Sequence, residues 1–251
     1  EIYLMTTYQF SRSGLLAGAL LMAFTLLSSA YAESVAAKIE SLKGSAFYDN
    51  GNGAVALAMG AEISAGSLVT TSPDSEVVLR LGTSILRVFG STTVSLDRLN
   101  QEATSAGVVI DTQIDLKDGT IAGAVAKFAS ALSKFEIKVP TGVVSVDASA
   151  NATSFYMSAP DDIRIIEGSG IFVYNRDGVV SSARIDGGSR FASSTTAQSV
   201  QTMTEAEVSQ TAVVTPETSA VSTVTQTTAI TAVQTTINPA NFFISPTKGA
   251  N

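Results

Sequence analysis

The chain contains no cysteine, no histidine and no tryptophan. Without histidine or cysteine it can form neither a Ser-His-Asp nor a Cys-His catalytic arrangement. The common zinc sites, which need imidazole or thiolate, are likewise excluded, and so are disulfides and a lipidated cysteine tether. A domain of this composition must be held by burial alone. The absence of tryptophan also removes the usual platform for stacking sugars. Charge is scarce, at 15% of residues, and its balance is acidic, with a net charge of −7. That balance lacks the basic footprint of a nucleic-acid binder.

Long apolar runs are absent too. The longest is Leu15 to Leu27, interrupted by Gly18 and Thr25 and shorter than the ~20 residues a spanning helix needs. It follows a short polar stretch with Arg12 and precedes Ala30-Tyr31-Ala32, a small-x-small end. Polar start, apolar core and small-residue end are the three parts of a secretory signal peptide. Residues 1–32 are therefore read as that signal, with cleavage between Ala32 and Glu33. Glu1 to Leu4 precede Met5, the first plausible initiator. The expected location is periplasmic or extracellular, with membrane contact only during export.

What remains is 45% hydrophobic, and its pattern is that of short strands. Phe135-Glu-Ile-Lys-Val139 alternates apolar and polar residues, as a strand with one buried face does. Val77 to Leu81 and Ile85 to Val88 flank Gly82-Thr-Ser, a tight hairpin signal. Asn175-Arg-Asp-Gly178 sits in the same way between Ile171 to Tyr174 and Val179 to Ile185, and Asp49-Asn-Gly-Asn-Gly53 is a further turn cluster. Strands are also expected at Val35 to Leu42, Val94 to Leu96, Val108 to Ile110, Ile114 to Leu116, Thr120 to Val125, Val143 to Val146, Ser154 to Met157 and Ile163 to Ile166. Ala122 to Leu132 is the nearest approach to a helix, opposed by Gly119 and Gly123. Many short strands at regular spacing predict an all-β fold, a single sandwich or roll, over residues 33–191. Its expected core includes Leu79, Leu81, Ile137, Val139, Ile165 and Phe172. Lys134, Lys138, Arg164 and Arg176 are expected as edge or outer-face charges.

Residues 192–251 change character. From Ala192 to Gln234 there is no Lys or Arg, and Thr, Ser, Ala, Val and Gln dominate. The stretch lacks the large apolar residues of a second core and reads as a low-complexity, Thr-rich tail, partly disordered, with one or two helical turns at Thr204 to Val208. Phe242, Phe243 and Ile244 form an apolar cluster near its end.

The order of the short elements resembles the FecR-type domain, the extracytoplasmic module named for the ferric-citrate regulator. The pieces that carry the resemblance run in order: Met59-Gly-Ala-Glu-Ile-Ser-Ala-Gly-Ser-Leu-Val-Thr-Thr71, Ser75-Glu-Val-Val-Leu-Arg-Leu81, Leu116-Lys-Asp-Gly119, Phe135-Glu-Ile-Lys-Val-Pro140 and Glu167-Gly-Ser-Gly-Ile-Phe-Val173. The Gly-Thr of the family's core motif is missing from Val146 to Phe155. No anti-sigma segment is expected in the short stretch from Met5 to Gly14. The resemblance implies an extracytoplasmic β domain that faces proteins, with no catalytic residues.

The expected function is thus an exported, non-catalytic binding module contacting a protein or an envelope polymer, with no cofactor, no metal and no nucleic-acid partner. An alternative is a structural surface or matrix protein assembling through its Thr-rich tail. A third reading is a polysaccharide-acting enzyme built on two carboxylates. Among the scattered acids (Asp74, Glu76, Asp97, Asp111, Asp115, Asp118, Asp161, Asp162 and Glu167), only Asp161 and Asp162 are adjacent, and their place after Pro160 is explained by turn chemistry.

Overall fold

The computed structural model describes residues 33–105, 107–193 and 198–214. Residues 1–32, expected to be a signal peptide, and the chain beyond Val214, with Phe242 to Ile244, lie outside the described residues.

The strands in chain order are β1 (Glu33–Ser34), β2 (Ala37–Lys43), β3 (Ala46–Asp49), β4 (Ala54–Ala56), β5 (Glu62–Ile63), β6 (Ser67–Thr71), β7 (Glu76–Leu81), β8 (Ser84–Val88), β9 (Thr93–Thr104) and β10 (Gly107–Asp118). They continue with β11 (Thr120–Val125), β12 (Lys134–Val139), β13 (Gly142–Asp147), β14 (Thr153–Ser158), β15 (Asp162–Glu167), β16 (Ser169–Arg176), β17 (Val179–Asp186), β18 (Ser189–Ser193) and β19 (Gln198–Thr202), followed by a helix, α1 (Glu205–Val214). They form two large sheets, an all-β sandwich-like fold. The front sheet runs β17-β16-β13-β12-β10-β9-β6-β3-β4, with β1 added on β9. The back sheet runs β19-β18-β15-β14-β11-β8-β7-β2-β5.

The sheets face each other through the apolar half of each alternating strand. Leu79, Leu81, Ile137, Val139, Ile165 and Phe172, expected in the core, are all buried there. Phe135 of β12 meets Phe155 of β14 across the sandwich, with ring centroids 6.3 Å apart. Phe172 and Tyr174 of β16 meet Phe191 of β18 in the same way.

The hairpins form where turn chemistry marks them. Gly82 takes a φ of 61° between β7 and β8. At the β16–β17 turn both Asp177 and Gly178 have positive φ, 53° and 83°. That is the pattern of a type I′ hairpin turn, and the Asn175 side chain accepts a hydrogen bond from the Gly178 N–H at 3.0 Å. Between β3 and β4 the Asp49 carboxylate accepts from the N–H groups of Gly51 and Gly53, at 2.8 and 3.1 Å.

The strand expected at Thr120 to Val125 is β11, in the middle of the back sheet, and the weak helical tendency from Ala122 is not expressed there. Only glycine fits at position 123, where a Cβ would lie 2.5 Å from the buried Phe155 ring and 2.9 Å from the Ile85 carbonyl. One feature differs from the sequence reading: the described structure runs past the boundary expected at Phe191. That residue lies inside β18, β19 pairs with β18, and α1 follows. Thr204 caps α1 in a capping box: its N–H donates to the Glu207 carboxylate at 2.8 Å, and its hydroxyl accepts from the Glu207 N–H at 3.4 Å. The same Glu207 pairs with Arg190 of β18, so cap and anchor share one side chain.

Candidate functional site

The outer faces of the two sheets carry the polar chemistry, and they differ in how free it is. On the back sheet a single cross-strand row holds Arg87, Ala122, Tyr156, Arg164 and Arg190. Directly opposed arginines repel, and each of these is neutralised. Arg87 pairs with Glu76 at 2.8 Å, Arg164 with Asp162 at 2.7 Å, and Arg190 with Glu207. Arg87 also lies over the Phe89 ring and Arg164 over the Tyr156 ring, 5.3 and 5.1 Å from the centroids. Hydrogen bonding to Asp162 raises the Arg164 pKa further above its usual value, against the opposing effect of burial. These side chains are 14–27% exposed, which marks them as part of the packing of this face.

The front sheet is more open. β9, β10 and β12 lie side by side there, and their outward residues form a charged lattice. Lys138 donates to Asp97 at 2.8 Å, and Ser95 donates to the same carboxylate at 2.6 Å. Partial burial alone would raise the Asp97 pKa. The hydrogen bonds from Lys138 and Ser95, with the charges of Lys138 and Lys117, outweigh it and hold the carboxyl below the ordinary range. Lys117 pairs with Asp115 at 2.8 Å, and that hydrogen bond raises the Lys117 pKa. Arg98 reaches Asp111 at 3.1 Å and Glu136 at 4.0 Å, and Gln113 donates to Glu136 at 3.1 Å. The cations of this lattice are 38–49% exposed.

At one end of the lattice is a shallow groove lined by Asn100, Glu102, Val109, Asp111, Leu132 and Lys134. Leu132, from the loop before β12, is 72% exposed. Lys134 stands beside Asp111 in the parallel β10–β12 pairing. One Asp111 oxygen is taken by Arg98, and its Oδ1 has no hydrogen-bond partner among the described residues. The groove thus combines an exposed apolar side chain, a cation, two carboxylates and an amide. Such a mixture suits a polar surface with an apolar anchor, not the capture of a small apolar ligand.

Among the residues singled out in the sequence, Lys134 lines this groove and Lys138 joins the lattice, both on the interior strand β12 and neither at a sheet edge. Arg164 lies on the back face, and Arg176 lies near the tip of the β16–β17 hairpin. Glu33 begins β1, opposite Gln101. Asp161 and Asp162 sit at the β14–β15 turn, where Asp162 is paired with Arg164. The sequence reading did not pick out Asn100, Glu102 or Leu132. Their only signal was a leucine flanked by small and polar residues, Ser130-Ala131-Leu132-Ser133, and a polar stretch after Leu99.

Among the described residues no three acidic side chains are grouped to hold a metal ion, and no helix there is long and apolar enough to cross a membrane. The chain matches no family model, no curated protein and no solved structure.

Proposed function

We propose that this chain is an exported, non-catalytic binding module of FecR-like type, contacting a protein or envelope component through the outer face of its front sheet. The observation that carries this reading is the groove at Asn100, Glu102, Asp111, Leu132 and Lys134, where an exposed leucine from the loop before β12 sits beside charged groups of the sheet. Export rests on the tripartite start and the Ala32–Glu33 cleavage point. Cleavage there leaves Glu33 at the start of β1.

A general acid in glycoside hydrolysis needs a raised pKa, and Asp97 and Asp147, whose carboxyls are held below the ordinary range, are poorly suited to that role. For Asp147 the cause is hydrogen bonding from the Ser149 hydroxyl and N–H.

The test is paired affinity capture from the envelope of producing cells, with the unaltered chain and with Leu132→Asp. The reading expects a partner retained by the first and lost from the second, while both melt alike. Equal retention by the two would overturn the assignment of this face.

A further inference from the structure

We propose that β17 is a self-pairing edge, which joins two copies of the chain in an antiparallel, two-fold dimer. The two sheet paths end in β4, β5, β19 and β17, with three, two, five and eight residues. Exposed edges are normally blunted by shortness, lysine, proline or a bulge. β4 and β5 are short. β17 is long, contains neither lysine nor proline, and pairs with β16 in an unbroken register from Val179 to Asp186. Its one cation, Arg184, is tied to Asp186 at 2.8 Å and to the Ser169 hydroxyl at 3.0 Å. Val179 to Ala183 are therefore an uncharged edge, and among the described residues no strand pairs with its other side.

Part of the apolar exposure of the front sheet lies at the same place, the rest being at Phe47 and Val55 on the opposite edge and at Leu132. Ile171 and Val173 on β16 are 43% and 40% exposed, and Val179 and Val180 are 64% and 69% exposed. Val173 lies opposite Ser182, and Val143 lies on the other side of Val173.

The occupant is a second copy because the edge is complementary to itself. A two-fold axis through Ser182 sets Ser182 against Ser182 of the second copy. Ser181 then faces Ala183, Val180 faces Arg184, and Val179 faces Ile185. No like charges are opposed, and outward residues stay outward because the register is of even parity. The row Val143, Val173, Ser182 continues into its own copy. The pairing uses a different part of the front sheet from the groove and stands or falls separately from the binding role.

The experiment is light scattering after size exclusion on the 251-residue chain over a concentration series, with Ser182→Lys, Ser182→Asp and their equimolar mixture. Ser182 is exposed, so both variants are expected to keep the parent melting curve. The parent is expected to dimerise. Each variant alone, with like charges opposed at the axis, is expected to dimerise about tenfold more weakly, and the mixture is expected to recover the parent dimer. A parent that stays monomeric overturns the proposal, as does a dimer indifferent to either variant or a mixture that recovers nothing.

Discussion

The rings of Phe172 and Phe191 meet edge to face, with centroids 4.8 Å apart and planes at 73°. One belongs to β16 of the front sheet and the other to β18 of the back sheet, so this contact closes the sandwich at the end where the low-complexity sequence begins. Both side chains are almost fully buried. Either replaced by alanine is expected to cost about 3–5 kcal/mol, read from denaturant midpoints. In a chain without disulfides, reductant is expected to leave those midpoints unchanged.

The same contact bears on where the domain ends. A chain truncated after Phe191 loses the last two residues of β18 together with β19 and α1, and leaves the rest of β18 as an unpaired edge. It is expected to melt lower than a chain truncated after Val214. Equal melting temperatures would mean that β19 and α1 add nothing to the sandwich.

Much of this was legible in the sequence, and the misses have physical reasons. Strands with one face in the core alternated plainly, as Phe135 to Val139 did. β9 did not, and only Val94 to Leu96 stands out in it. The cause is a bulge in β9: Gln113 faces Arg98, but Asp115 faces Ser95. It places Leu96 and Leu99 both in the core, three residues apart, and breaks the period of two. The groove was hidden for the same reason, since Asn100 and Glu102 lie beyond that bulge. The parallel β10–β12 pairing was equally invisible, because β11, which connects them, belongs to the other sheet. β19 escaped notice because its Ser, Gln and Thr side chains carry little apolar signal.

Gly123 tests the packing of the back sheet. Gly123→Ala keeps the strand backbone but drives a methyl into the Phe155 ring and the Ile85 carbonyl. Overpacking of this kind is expected to cost about 1–3 kcal/mol. Gly178→Ala, with no neighbour within 4 Å, differs in that only its positive φ opposes the substitution. A Gly123→Ala variant as stable as the parent would contradict the close approach of β11 and β14.

Asp97 sets a pH dependence with a definite sign. Its folded pKa lies below the ordinary value, so its contribution is present above about pH 4. It is lost as pH falls through the lower folded value. Asp97→Asn is therefore expected to destabilise at pH 7 and to converge with the parent in acid. The pair with Lys138 is partly exposed, so the difference at pH 7 is expected to stay below about 1 kcal/mol. Urea titrations of both proteins across that range measure it; a gap that widened in acid would reverse the assigned sign.

Export has its own readout. Intact mass of material recovered outside the cytoplasm is expected to place Glu33 at the N-terminus, and a bulky residue in place of Ala32 is expected to block processing. Exported protein that retains Leu15 to Leu27 would indicate an anchored form.

The most direct measurement of the binding role is site-specific photo-crosslinking in producing cells. A photoreactive residue replaces Leu132 at the groove in one strain and Thr83, exposed at the β7–β8 turn, in another. Binding through the front face predicts a discrete adduct from position 132 and none from position 83. Adducts of equal yield from both positions, or none from 132, would contradict it.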